Sequence, residues 1–254
     1  MSSKAILGAI MMVLAAGLAG GGFYAARTMK QEKVDPETLC PVAGSKSTTL
    51  IIIDKTDPLT EAEHIRARDL IASERNLVQR GDRITVKLLQ QRAGTHDVVL
   101  DTIADLCNPG AEANPLFENP KRVAARYQSA FLEPIDNALE SVADLGSAPS
   151  SPIARSIEAT VESSIAPTLP HFKLILISDL MEHSPEASAY TGTLSDAALR
   201  KLLPDSIQNA LKDAEIRVLL LKRTKYASQQ DAAVKIWARF LHETTGRAPD
   251  IVRP

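Results

Sequence analysis

Apolar residues fall along this chain in three rhythms. The first is an unbroken run, Ala5 to Ala26, with no charged residue. At 1.5 Å per residue a helix of that length crosses a hydrocarbon core of about 30 Å. The second is a set of short β-branched or aliphatic blocks: Thr48–Ile53, Arg83–Leu89, Val98–Leu100 with Ile103, Phe172–Ile177 and Ile216–Leu221. Each is bounded by polar or turn residues and predicts a strand. The third rhythm is helical. It covers Glu61 to about Arg80, stopped by Gly81, and 121–143, where Val123, Tyr127, Phe131, Leu132, Ile135, Leu139 and Val142 recur. Ile153, Ile157, Val161 and Ile165 mark another helix, and two more are expected near Leu199–Lys212 and from about Gln230 to Thr245. Strands alternating with helices predict an α/β fold, a doubly wound and mostly parallel sheet covered on both faces.

Local signals refine the boundaries. Thr60 and Glu63 have the spacing of a capping box, so a helix starts just beyond the first strand. Ser151 is placed as an N-cap before Pro152, which suits a first helical turn. Residues 28–46 lack apolar periodicity, contain Pro36 and Pro41, and read as a tether. The organisation predicted is an N-terminal end (1–4), a transmembrane segment (5–27), the tether (28–46) and one α/β domain (47–254).

Charge and composition remove some functions from consideration. The 254 residues carry a net charge of −2, which gives no electrostatic footprint for nucleic acid. Aromatic residues make up 4%, too few for a base-stacking platform, so the core must rest on Leu, Ile, Val and Ala. Cys40 and Cys107 allow one pairing, from the segment before the first strand to the end of a later one. An even count fits an oxidising compartment, and the sequence leaves a bonded pair and two buried thiols both open.

The uncharged segment is read as a single-pass anchor, with a cleaved secretory signal starting at Lys4 as the competing reading. Gly17 and Gly21 have the spacing that lets two membrane helices approach closely, as do Ala16 and Gly20, so self-association through that helix face is expected. Lys4 on one side faces Arg27, Lys30 and Lys33 on the other, and the charge count does not fix orientation. The cysteine pair favours an exported domain, which places the protein in an inner membrane with its soluble part in the periplasm.

Candidate chemistry sits at strand ends. Asp54 closes the first strand and Asp179 follows the fourth, while Ser151 opens the helix between them. Parallel strands of one sheet finish on the same side, so these groups are expected to share a crevice. Carboxylates with hydroxyls suit a hard octahedral cation such as Mg²⁺. Here the chain resembles the von Willebrand factor A domain, whose metal-ion-dependent adhesion site has an Asp-x-Ser-x-Ser loop, a Thr before a later helix and an Asp after the next strand. Asp54-Lys55-Thr56 matches the start of that loop, Ser151 looks like the Thr position and Asp179 like the last acid. Pro58 stands where the second Ser belongs. The resemblance runs from about Thr48 to Ile251. It implies a non-enzymatic module in a bacterial membrane assembly that binds a partner protein at the strand-end face, with Asp54, Thr56, Ser151 and Asp179 holding Mg²⁺ and an acid of the partner completing the shell.

Two other readings compete. Asp54-Lys55-Thr56-Asp57-Pro58-Leu59-Thr60 is similar to the Asp-Lys-Thr-Gly-Thr-Leu-Thr motif of P-type ATPases, which would make Asp54 the nucleophile of a haloacid-dehalogenase-like phosphohydrolase. Asp57 and Pro58 break that motif. The other is a structural scaffold without a working metal site. Asp179, Glu182 and His183 lie within five residues of one another but read as a solvated loop, since no second histidine or cysteine is near in sequence for zinc.

Overall fold

The computed structural model describes residues 8, 11–18, 20–21, 33–92, 97–115, 118–140, 148–164 and 172–253. It divides the chain into two units, Met1–Val34 and Asp35–Pro254. In the first, residues 8, 11–18, 20 and 21 are helical, and a Cβ added at Gly17 or Gly21 would meet nothing within 4 Å. The rest of the predicted membrane segment lies outside the described residues. Among the described residues no helix is long and apolar enough to cross a membrane.

The second unit is built on a six-stranded sheet. Its strands are β1 (Thr48–Asp54), β2 (Arg83–Gln91), β3 (Val98–Cys107), β4 (Phe172–Ser178), β5 (Glu215–Leu220) and β6 (Asp250–Val252). They lie in the order β3-β2-β1-β4-β5-β6, all parallel except β3, which runs antiparallel to β2. Strand order reverses at β1, next to β4, and such switch points open the crevices of doubly wound sheets.

Period-two alternation divides the core. Leu50 and Ile52 of β1, Leu174 and Leu176 of β4, and Ile216 and Val218 of β5 face α4 (Ile153–Ser164) and α7 (Ala227–Thr245), where Trp237 and Phe240 are fully buried. Ile51, Ile53, Ile175 and Ile177 face the opposite way. They pack with Ile71 of α1 (Glu61–Leu77) and with Phe131, Ile135 and Leu139 of the helical stretch beyond β3.

Several expectations are corrected. The long helix of 121–143 is α2 (Pro120–Tyr127), a π-helical turn (Gln128–Leu132) and α3 (Glu133–Glu140). Pro134 lacks the N–H that the regular ladder needs, which accounts for the widened turn before it. The helix expected at Leu199–Lys212 is two, α5 (Asp196–Leu202) and α6 (Asp205–Ala210), split at Pro204. Strand β6, only three residues long, was not anticipated.

From Asp35 onward the predicted tether is fastened to the domain. Asp35 Oδ1 accepts the Glu37 and Thr38 N–H groups, Cys107 N donates to the Thr38 carbonyl at 2.7 Å, and Cys40 is disulfide-bonded to Cys107. The cysteine alternatives are thereby resolved in favour of the bonded pair.

Candidate functional site

The sheet register builds the site. Ile53 pairs with Ile177, so the next residues, Asp54 and Ser178, emerge side by side on the face that carries Ile52 and Leu176. Ser178 Oγ donates to Asp54 Oδ2 at 2.8 Å. Ser151, at the mouth of α4 on that face, donates through Oγ to the same oxygen at 3.2 Å. Thr56 folds back on Asp54 Oδ1 with its hydroxyl at 2.6 Å and its N–H at 3.1 Å. Asp54 is 3% exposed.

Ser151 is placed by backbone pairing rather than as a helix cap. Its N–H and carbonyl exchange bonds with His183, both at 2.8 Å, and Ala148 N donates to the Thr56 carbonyl. The N–H of Ala154 is taken by Glu182 Oε2 at 2.8 Å, so a carboxylate from the loop after β4 supplies the cap predicted for Ser151. That loop is buried, contrary to the solvated loop expected: Asp179, Leu180, Met181 and Glu182 are each 3% exposed or less. Leu180 takes a left-handed φ of +58°, which costs a non-glycine residue about 1–2 kcal/mol. Three bonds hold it there: Leu180 N to Ser178 Oγ, Met181 N to Asp179 Oδ1, and Gln230 Nε2 to the Asp179 carbonyl.

Thr56 and Ser151 thus meet on Asp54, while Asp179 accepts the Met181 N–H, pairs with Arg223 and feels the charge of Asp54. Burial, and then the charge of Asp54, push the Asp179 carboxyl up to about 7 despite the cation beside it. Burial likewise raises Glu182 to about 7. The cation is Arg223, on the loop after β5, with Nε 2.8 Å from Asp179 Oδ2. The N–H is not aligned on that oxygen, so the contact is a pairing of charges without a hydrogen bond. Arg223 also approaches Asp57 (3.6 Å) and Glu63 (3.4 Å), and its side chain is 14% exposed.

A crevice of about 550 Å³ opens at Thr56 and Ser151 and is also lined by Asp57, Pro58, His183, Tyr190 and the stretch 222–226. Tyr190 packs edge-on against both His183 and Tyr226. Lys222, Arg223 and Lys225 are among its lining residues, and Lys225 Nζ lies over the Tyr226 ring.

In donor chemistry the set suits a hard cation: two carboxylates and three hydroxyls whose lone pairs are not exhausted by donating to Asp54. Charge argues the other way. A Mg²⁺ ion bound to Asp179 Oδ2 at about 2.1 Å would lie no more than about 5 Å from Arg223 Nε. At an effective dielectric of about 20 the repulsion is roughly 7 kcal/mol, a cost that the attraction of the two carboxylates would have to offset together with the desolvation of the ion. With Pro58 in place of a hydroxyl, the residues present do not fit a divalent ion well. Among the described residues no cluster of three His, Cys, Asp or Glu side chains is arranged to hold one.

Ser178, Arg223 and Gln230 escaped the sequence reading, and Glu182 entered it only as part of a loop taken to be solvated. Ser178 directly precedes Asp179, and Lys222-Arg223 are the first polar residues beyond the β5 block. Reading every strand end, rather than only the acidic ones, would have found both.

No family profile and no curated protein matches the sequence. Solved structures that match include an aerotolerance-related membrane protein from Bacteroides fragilis, at 12% identity over 82% of this chain and 91% of that one, with a TM-score of 0.43. A conserved hypothetical protein, BatB from Bacteroides thetaiotaomicron, matches at 12% over 82% and 90%, with a TM-score of 0.39. A von Willebrand factor type A structure from Catenulispora acidiphila matches at 13% over 77% and 43%, with a TM-score of 0.35.

Proposed function

We propose that this chain is a membrane-anchored, non-enzymatic protein-interaction module of the von Willebrand factor A type, whose strand-end crevice receives an acidic segment of a partner in a bacterial membrane assembly. The observation that carries the reading is the meeting of Thr56 and Ser151 on Asp54, with Asp179 held against Arg223, at a crevice lined by Lys222, Arg223, Lys225, Asp57 and two tyrosines. The uncharged run from Ala5 to Ala26 supports the anchor, with Gly17 and Gly21 as a face for self-association. The Cys40–Cys107 bond favours an oxidising compartment, hence a periplasmic domain on an inner membrane.

The phosphohydrolase reading is weaker. Both Asp54 oxygens already accept hydrogen bonds and the residue is 3% exposed, which leaves no open approach for in-line attack on a phosphoryl group. To test the docking reading, cross-linked complexes are recovered from solubilised membranes with wild-type protein, with a Lys222→Glu/Lys225→Glu variant, and with Lys212→Glu as a control away from the crevice. One protein should be recovered with wild type and the control and lost with the crevice variant. Equal recovery with all three removes the crevice from the proposal and leaves a scaffold.

A further inference from the structure

The feature of the site that the resemblance does not account for is its own cation. Arg223 is no mobile rim residue. Its N–H donates to Gln230 Oε1 at 3.0 Å, and the preceding Lys222 N–H donates to Glu63 Oε1 at 2.9 Å. Gln230, 5% exposed, in turn donates to the carbonyls of Leu221 and Asp179. The backbone on both sides of the guanidinium is thus tied to α1, α7 and the β4 loop. The charge is delivered to Asp179 from a fixed position, with Asp57 and Glu63 flanking it. An arginine cannot be deprotonated in a protein, so the cation is permanent.

We propose that Arg223 is the resident cation of the strand-end site: it takes the place of a divalent ion, so that the crevice engages its partner's carboxylates without metal. The part concerning partners rests on the docking reading above, whereas the part concerning the ion stands on the geometry of Arg223 alone. A carboxylate entering the crevice meets Lys222 and Lys225, with Arg223 paired to Asp179, where a metal-dependent site would present an ion with an open coordination position. Removing the guanidinium leaves Asp54 and Asp179 as two buried carboxylates with hydroxyls around them, the donor set a hard cation seeks.

The test is titration with Mn²⁺, followed by electron paramagnetic resonance and calorimetry on the full chain in detergent. Wild type and Arg223→Lys should show no saturable site, Arg223→Gln should gain one, and Arg223→Gln/Asp54→Asn should lose it again. The gain expected is at least about tenfold in affinity, and near-ultraviolet circular dichroism checks that each variant is folded. Saturable binding by wild type that Asp54→Asn abolishes overturns the proposal, and this arm decides even if Arg223→Gln does not fold. A folded Arg223→Gln that binds no Mn²⁺ overturns it as well. In the cross-linking experiment, recovery of the partner should be the same with Mg²⁺ and with chelator, and loss on chelation refutes metal independence. Failure to recover a crevice-dependent partner under either condition counts against the docking reading and leaves the titration result in force.

Discussion

The bond between Asp54 and Ser178 is the most direct consequence of strand register, and a double-mutant cycle measures it. Both residues are buried, at 3% and 2% exposure, and the hydroxyl donates to Asp54 Oδ2 at 2.8 Å. A hydrogen bond to a charged group contributes roughly 1.5–3 kcal/mol. Ser178→Ala also removes the acceptor of the Leu180 N–H, which helps to hold the left-handed turn, so the single substitution should cost about 3 kcal/mol in all. Asp54→Asn keeps the shape but turns an acceptor into a donor towards one or more of the three hydroxyls. The coupling between the two substitutions is the diagnostic quantity and should be about 2 kcal/mol, because residues that share a bond are not additive. The assay is urea unfolding followed by circular dichroism. With a slope of about 2 kcal/mol per molar, the coupling appears as a midpoint displacement of about 1 M relative to additivity. A coupling below about 0.5 kcal/mol, the level of independent sites, would refute the side-by-side placement of the two strand ends.

Three further outcomes are expected. Reducing Cys40–Cys107, which closes a loop 67 residues apart in sequence, should lower stability by about 4 kcal/mol on the chain-entropy scale, and identical urea midpoints with and without reductant would contradict the bond. Burial pushes Glu182 up to about 7 and raises Asp179 as well, so the folded state holds extra protons between about pH 4.5 and 7, and stability should fall as pH rises through that window and level off above it. Glu182→Gln should reduce that slope by up to about 1.4 kcal/mol per pH unit, and unfolding midpoints at pH 5, 6, 7 and 8 that change in parallel for both proteins would exclude Glu182. Glu63→Ala removes the acceptor for Thr60 N, Thr60 Oγ1 and Lys222 N, all at 2.9 Å, and should cost about 2–3 kcal/mol by thermal or urea unfolding; a change under about 0.5 kcal/mol would mean that the α1 cap does not hold the β5 loop.

The layout of the chain was largely readable from local pattern. Runs such as Leu50–Ile53 and Leu174–Ile177 are apolar at every position because both faces of a central strand are covered, and that needs no knowledge of the neighbours. The capping box of Thr60 and Glu63 formed as its spacing required, since both partners lie within one turn. Asp54, Thr56 and Asp179 stood out in the sequence because a strand end carries its polar residues in sequence order, and Ser151 because it opens the following helix. Errors fell where a distant residue decided the outcome. Ser151 has a cap-forming side chain, but its hydroxyl is drawn to Asp54, 97 residues away, and the cap passes to Glu182. The loop Asp179–Glu182 is polar enough to look solvated, yet the strand ends and α4 enclose it.

Sequence by itself determined the five longer strands, the approximate extents of the helices and the ends of the strands at which the oxygen donors lie, because periodicity and chain direction are properties of neighbouring residues. Only the tertiary structure decided what charge those donors face. Arg223 follows a different strand, 169 positions after Asp54, and no local spacing records which strand will lie beside β4. Strand order brings β5 next to β4, and that adjacency sets a fixed guanidinium against Asp179.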